Sequence, residues 1–297
     1  MTELPMPHPY IYRPLCIYHG NCADGFGAAW VVRKYFDGNV DFHPGIYGQA
    51  PPAVFNRHVI LVDFSYKRPV LESMAKSAAS ITIIDHHKTA QEDLAGYPLA
   101  IPLMVPAPGI QVEFDMNRSG AGMAWDFFFP REPRPKLIDH IEDRDLWRFN
   151  LYGTREIQAT LFSHPYDFDT WDDLVRMAEE EKGRIELRAE GRAIDRKMLK
   201  DIAEILGVAT REMMIGGVKV PVVNLPYTMA SEAAGKLAED APFAAAYFDA
   251  KDGRKFSLRS RREGGMDVSA IAKLYGGGGH RNAAGFTMPI GWEGEGE

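Results

Sequence analysis

Four short segments of the 297-residue chain put carboxylates and imidazoles where an apolar run ends or a helix turns inward. They are His19 with Asp24, Asp63, the triplet Asp85-His86-His87, and Asp143 with Asp145. Imidazole is a common metal ligand and carboxylate a hard oxygen donor, so the mixed set suits Mn²⁺, Mg²⁺, Fe²⁺ or Zn²⁺ and not a thiolate site. A carboxylate shared by two such ions holds them about 3.5–4 Å apart, a geometry that supports in-line attack on phosphorus. Each segment alone reads as a strand end with a capping acid and exposed histidines. Repetition of the pattern at several segment ends is what favours a metal site.

A second feature lies near the carboxyl end. Gly276-Gly277-Gly278-Gly279 precedes His280-Arg281-Asn282. Successive glycines can present backbone N–H groups as an anion nest, and they can equally form a flexible turn. Arg259 and Arg261 on a nearby strand add positive charge, which points to a phosphate-binding loop. It is not a Walker loop, because no Lys-Ser/Thr pair follows the glycines.

The elements that must carry these groups follow from apolar patterning. Leu15–Tyr18, Val40–Pro44, Val59–Phe64 and Ser80–Asp85 are short apolar or β-branched runs. Helical stretches at Phe26–Phe36 and Lys67–Ala78 separate them. Alternation of this kind predicts a doubly wound α/β fold with a parallel sheet, whose ligands sit at the carboxyl ends of its strands. Gly96–Gly109, interrupted by prolines, reads as loop. Ser119 is positioned to cap a helix running through Phe129, and a second helix begins near Pro135. Trp171–Leu206 is long, charged and amphipathic with no proline, and predicts one continuous helical connector. Further on, Lys219–Leu225, Phe243–Phe248, Lys255–Arg259 and a strand after the glycines alternate with helices at Ser231–Ala238 and Asp267–Tyr275. The expected organisation is residues 1–150, a metal-binding domain; 151–210, a helical connector; and 211–297, a smaller α/β domain. Met1–Pro14 reads as an extended arm, and the acidic tail Gly291–Glu297 as frayed.

Bulk properties bound the function. The net charge of −7 argues against a broad electrostatic grip on long nucleic acid and allows a short nucleotide held by a few arginines and a metal. Two cysteines, Cys16 and Cys22, indicate no disulfide framework and a reducing cytoplasm. Met1–Pro14 holds four prolines and no apolar core, and reads as neither a signal peptide nor a membrane span.

The same residues resemble the DHH phosphoesterases that carry a DHHA1 second domain. His19-Gly20-Asn21-Cys22-Ala23-Asp24-Gly25 is similar to the family's first motif and Val62-Asp63 to the second. Ile84-Asp85-His86-His87 is similar to the third, and Glu142-Asp143-Arg144-Asp145 to the fourth. Ser257–Arg261 with Gly276–Gly285 resembles the DHHA1 signature. The resemblance runs from about Leu15 to Pro289. It implies a two-domain hydrolase with a centre of two Mn²⁺ ions, Mg²⁺ or another divalent ion being the alternative. By position, His19 would bind one metal, Asp24 and His86 the other, and Asp63 would bridge them, with Asp143 completing the ligands of the second metal. His87 would lie at the scissile phosphate and Asp85 would orient an imidazole, giving these two the catalytic roles. Arg259, Gly277, Gly278, Gly279, His280 and Asn282 would hold the substrate. One position departs from the family's Asp-x-Asp pattern. Cys22 stands at the first acid, where it either meets a softer metal or fills a small apolar space, and the second reading is favoured.

Other residues of tempting type carry plainer readings. Cys16 is core, and Trp125 with Phe127–Phe129 is helix packing and not a stacking surface. Asp145 ranks below Asp143 as a ligand and reads as a supporting acid or a partner of Arg144 or Arg148. The expectation is a metal-dependent phosphoesterase that cleaves a phosphodiester or phosphomonoester with metal-activated hydroxide. Its substrates would be short oligonucleotides, dinucleotides or bisphosphorylated nucleosides. A pyrophosphate or polyphosphate hydrolase and an inactive nucleotide sensor are the alternatives. The only partner required is the substrate. A homodimer is left open, and no membrane or obligate protein partner is expected.

Overall fold

The structure, a computed structural model, describes residues 12–102 and 107–296. Most of the expected amino-terminal arm and part of the 96–109 loop therefore lie outside the described residues. The chain forms two compact units that divide at Arg192/Ala193.

The first unit contains β1 (Leu15–His19), α1 (Ala23–Tyr35), β2 (Asp41–Gly45), β3 (His58–Val62), α2 (Arg68–Ala75), β4 (Ser80–Asp85), α3 (Lys88–Asp93) and β5 (Ile110–Phe114). They are followed by α4 (Gly120–Phe128), α5 (Lys136–Asp145), α6 (Thr154–Ser163), α7 (Phe168–Glu179) and the start of α8 (Glu181–Ala209). Five parallel strands lie in the order β2-β1-β3-β4-β5. The winding reverses at β1/β3, the place where open α/β sheets bind ligands. Successive side chains of a strand point to opposite faces, and here both faces are buried. Cys16, Ile60, Val62 and Ile84 pack with α1, α4 and α5 on one face. Ile17, Val59, Leu61, Ile81 and Ile83 pack with Leu71 and Met74 of α2 on the other. This is why β3 and β4 read as unbroken apolar runs. Trp125, Phe127 and Phe128 are core residues on α4, and Trp125 stacks on Trp30 at 6.3 Å, as helix packing requires.

The stretch expected as a connector is only partly one. Ile157 and Leu161 of α6, Trp171 and Leu174 of α7 and Leu187 of α8 all belong to the first unit's core. The continuous helix expected over Trp171–Leu206 is also broken. Glu180 adopts an extended conformation with ψ 139°, and Arg184 turns back to donate to the Ala178 and Glu179 carbonyls at 2.8 Å each. The guanidinium satisfies the carbonyls that end α7, a contact without a periodic signature in sequence. Beyond the break α6 crosses α8 closely. A β-carbon on Gly191 would lie 1.7 Å from the Glu156 carbonyl oxygen. Alanine's better helix propensity, worth about 1 kcal/mol, cannot offset such an overlap with backbone. We expect Gly191→Ala to lower stability by about 1–3 kcal/mol, read as a reduced urea midpoint with an unchanged slope.

α5 ends in a Schellman turn. Arg148 N–H donates to the Asp143 carbonyl and Trp147 N–H to that of Arg144, both at 2.8 Å. Trp147 occupies the left-handed position of this turn, φ +54°, and Phe149 is left-handed as well, φ +51°. Glycine is usual there, and a side chain in this region costs about 1–2 kcal/mol. Just before the turn, His140 Nδ1 lies 2.8 Å from Thr154 Oγ1, which is itself 2.6 Å from Asp143 Oδ2. The hydroxyl proton goes to the carboxylate, so Nδ1 of neutral His140 is the donor. Burial is the largest influence on His140 and lowers its pKa. The stability contributed by the neutral ring is therefore fully present above the unfolded value of about 6.5 and is lost as pH falls below it. We expect denaturant midpoints to fall from pH 7 to pH 5 by less in His140→Gln than in the wild type.

The second unit contains the rest of α8, β6 (Arg211–Ile215), β7 (Val218–Asn224), α9 (Ala230–Leu237), β8 (Ala244–Ala250), β9 (Gly253–Arg259), α10 (Val268–Leu274), β10 (Gly278–His280) and β11 (Ala283–Met288). Its sheet runs β10-β11-β9-β8-β7-β6 and is antiparallel except at β7/β8. One face buries Val268, Ile271 and Ala272 of α10, and the other buries Ala230, Ala233 and Ala234 of α9 with Ile202 of α8. The tail expected to fray is tied down as far as Glu295. Glu295 N–H donates to the Met214 carbonyl at 2.9 Å, and its carboxylate accepts from Tyr275 Oη and Gly217 N–H at 2.6 and 2.7 Å. Arg254 Nη1 meets Glu293 at 2.7 Å. The acids that suggested a solvated tail find donors in the body of the unit instead.

Candidate metal centre

The carboxyl ends of β1, β3 and β4 bring His19, Asp63 and the Asp85–His87 triplet to the switch point, and α1 and α4 close it. Asp63 follows β3 in the left-handed region, φ +55°, which aspartate tolerates better than most residues. The turn aims its carboxylate at histidines from two neighbouring strands. Oδ1 lies 3.0 Å from His86 Nε2, and Oδ2 lies 3.5 Å from His19 Nδ1. Asp24, in the first turn of α1, is held by the start of α4. Gly120 N–H donates to its Oδ2 at 2.6 Å and Ala121 N–H to its Oδ1 at 2.8 Å, so a helix N-terminus steadies the anion. Ser119 caps that helix by accepting from Gly122 N–H at 3.1 Å, as its position in the sequence predicts. Glycine is required at 120, because a β-carbon there would lie 2.4 Å from Asp63 Cβ.

His86 is buried among three carboxylates. Its Nε2 is 3.0 Å from Asp63, 3.4 Å from Asp24 Oδ2 and 3.7 Å from Asp145 Oδ2. Asp85 stands one layer behind. Its Oδ1 accepts from His86 N–H at 2.7 Å and lies 2.7 Å from His87 Nδ1. It is thus His87 whose ring Asp85 orients, the arrangement in which an imidazole offers Nε2 outward.

Among the described residues of the first unit, two triplets have donor atoms within 4.8 Å of one another: His19, Asp63 and His87, and Asp24, Asp63 and His86. Asp63 belongs to both. The expected grouping of Asp24 with His86 around a shared Asp63 matches this geometry. His87 joins His19, a position not foreseen for it.

The electrostatics are those of a site assembled for cations. Burial would raise the Asp63 carboxyl, but hydrogen bonds from His19 and His86 outweigh it and hold Asp63 well below the usual carboxylate range. Burial, followed by the charges of Asp63 and Asp145, pushes Asp24 well above that range. Burial would lower His86, yet its bond to Asp63 and the charges of Asp145, Asp63 and Asp24 hold it well above the usual value. Protons on His86 and Asp24 relieve a repulsion that a divalent ion would relieve better. Asp63 Oδ2 is also buried with no hydrogen bond of good geometry among the described residues. A buried carboxylate oxygen left that way fits a metal ligand.

Asp143 requires correction. Its two oxygens accept from Asn150 N–H at 2.8 Å, Leu151 N–H at 3.0 Å and Thr154 Oγ1 at 2.6 Å, and they hold the segment after α5. Asp145, two residues on, is the acid that reaches His86. Asp143 and Asp145 lie about 200° apart around a helix of 3.6 residues per turn, so only one of them can face the cluster. Cys22 is corrected too. It is partly buried with the ionisable groups His19, Asp63 and Asp24 as neighbours, so the space it occupies is not apolar. Burial raises its pKa and keeps it a thiol. Sequence reading also missed Tyr47, whose ring centroid lies 5.4 Å from that of His19 and 6.3 Å from that of His87.

In the second unit the glycine run is not an open anion nest. Gly276 N–H and Gly277 N–H donate to the Lys273 and Ala272 carbonyls that end α10, and Gly278–His280 pair with Ala283–Gly285. Cap and ladder use the groups a nest would present. Arg259 donates to Ser231 Oγ at 2.6 Å and to the Leu258 carbonyl at 2.8 Å. Asn282 Nδ2 donates to Ser260 Oγ and the Arg261 carbonyl. Both side chains are thus organised by their own unit.

Comparison with known proteins agrees with this layout. The DHHA1 domain family matches residues 217–293. An uncharacterized protein of Acanthamoeba polyphaga mimivirus is 30% identical over 92% of this chain, and the chain spans 66% of that protein's length. Among solved structures, the DHH domain of a protein described as a ribosomal-protein family member superposes with a TM-score of 0.56 at 10% identity, covering 93% of this chain and 83% of the other. RecJ of Thermus thermophilus, solved in complex with Mn²⁺, is 16% identical with a TM-score of 0.46, covering 93% of this chain and 49% of RecJ. The match over residues 217–293 identifies the second unit as a DHHA1 domain, and the chain, with its histidine–aspartate cluster on a parallel sheet in the first unit, shares the fold of that DHH-domain protein.

Proposed function

We propose that this protein is a divalent-metal-dependent phosphoesterase acting on short nucleic-acid or nucleotide phosphate esters, namely oligonucleotides of a few units, dinucleotides or bisphosphorylated nucleosides. The observation that carries the reading is the pair of donor triplets sharing Asp63. In this proposal His19, Asp63 and His87 hold one ion and Asp24, Asp63 and His86 the other, with Asp145 beside the second and Mn²⁺ as the metal. Two such ions neutralise phosphate charge and lower the pKa of water. The chain's own residues do the positioning. Asp85 fixes the His87 ring, the α4 N-terminus fixes Asp24, and the turn after β3 aims Asp63. The charge of −7 favours small substrates over long duplexes. The free thiols Cys16 and Cys22 fit a reducing cytoplasm, which belongs to the proposal. Among the described residues no helix is long and apolar enough to cross a membrane.

A substrate panel tests this. With Mn²⁺, release of mononucleotides from short oligoribonucleotides or dinucleotides is expected, with little turnover of pyrophosphate. Faster turnover of pyrophosphate, or none of any phosphate ester, would overturn the proposal.

A further inference from the structure

Directly beyond Asp145 the chain places backbone strain under an exposed Trp147 and a half-buried Phe149. Trp147 stands at the Schellman position where glycine is favoured, and Phe149 is left-handed too. Trp147 is also 36% exposed, whereas Trp30, Trp125 and Trp171 are 4% exposed or less. The Trp147 and Phe149 rings meet edge to face at 5.0 Å. Arginines flank them, with Arg155 Cζ 4.0 Å from the Phe149 centroid and Arg144 Cζ 5.8 Å from that of Trp147. Guanidinium groups thus lie against π surface at this point of the chain.

Its position relates it to the metal centre. Asp145 Oδ2 is 3.7 Å from His86 Nε2, and two residues of chain span at most about 7 Å. That places the cluster one nucleotide's reach from a phosphate at the centre. We propose that Trp147 and Phe149, with Arg155, form a stacking platform for a nucleobase of the substrate. The proposal rests on the phosphoesterase reading of the adjoining centre and narrows its substrates to base-bearing ones. Every base offers a π face, and a guanidinium adds cation–π attraction and offsets phosphate charge. The platform therefore selects for the presence of a base and not its identity.

The test uses the full-length protein with Mn²⁺ and two probes. The first is the dinucleotide pApA against its counterpart lacking the adenine next to the scissile phosphate. The wild type should favour the adenine form in kcat/KM by about five- to a hundredfold, mostly through KM. In Trp147→Asn, which keeps a residue that tolerates the left-handed backbone, the ratio should fall toward one. The second probe is tryptophan fluorescence. AMP should quench it, ribose 5-phosphate should not, and the variant should lose the response. An unchanged ratio in the variant, or AMP quenching that survives without Trp147, overturns the platform. If neither dinucleotide is cleaved while AMP quenches through Trp147, the platform stands and the phosphoesterase reading fails. If both are cleaved alike and AMP does not quench, the reverse holds.

Discussion

Asp63→Asn is expected to lower metal-dependent phosphoester hydrolysis by on the order of 10³ or more and to weaken both Mn²⁺ sites together. Asp63 is the one residue common to both donor triplets, so loss of its charge acts on two ions at once. The reduction corresponds to about 4 kcal/mol of transition-state stabilisation, in keeping with a site whose chemistry depends on charge neutralisation. Asparagine is the informative replacement because it tolerates φ +55° and keeps nearly the same volume beside Gly120. The fold should therefore survive. His19 and His86 stabilise the Asp63 anion in the metal-free protein and hold its carboxyl well below the usual range, so the metal-free variant should melt lower than the wild type while still folding. Mn²⁺ titration by calorimetry, initial rates on a dinucleotide and a thermal melt check the three parts. Turnover at the wild-type rate would sink the shared-carboxylate mechanism.

The second large effect separates two acids that sequence ranks in the wrong order. Asp145→Asn should weaken Mn²⁺ binding about 10- to 100-fold, the range for groups supporting a metal's ligands, and should leave folding intact. Asp143→Asn should do the opposite. Its carboxylate accepts three hydrogen bonds. An amide has one carbonyl oxygen to offer and no charge, so about 2–4 kcal/mol of stability should be lost with little change in metal affinity. A urea titration and a Mn²⁺ titration on both variants give a crossed result if the assignment is right. A drop in metal affinity in Asp143→Asn without destabilisation would return the ligand role to Asp143.

The two effects share a cause in the local architecture. The segment after α5 must be held so that Asp145 can face His86, and Asp143 holds it through Thr154 and two backbone amides. The same turn carries Trp147 out beside the site. The acids of α5 and its strained carboxyl end thus form one device, with structural, metal-facing and exposed aromatic residues at alternate positions from 143 to 147.

Sequence alone determined the parallel sheet, because strands buried on both faces must be continuously apolar, and β3 and β4 are. It placed the candidate metal ligands for the same reason, since polar residues that end such strands lie at the sheet's carboxyl edge. His19, Asp24, Asp63 and His86 could be named from that rule and from motif resemblance. Tertiary structure alone decided which acid of α5 faces the cluster, because helical phase relative to another element is absent from local patterning. It decided that Arg184 breaks the long helix, that Glu293 and Glu295 tie down the tail, and that the glycine run caps α10 and enters a strand. Each depends on a partner distant in sequence or on a backbone geometry that composition does not encode. It also placed His87 with His19 and Asp63, a grouping produced by the hydrogen bond His87 donates to Asp85 and by the left-handed turn at Asp63.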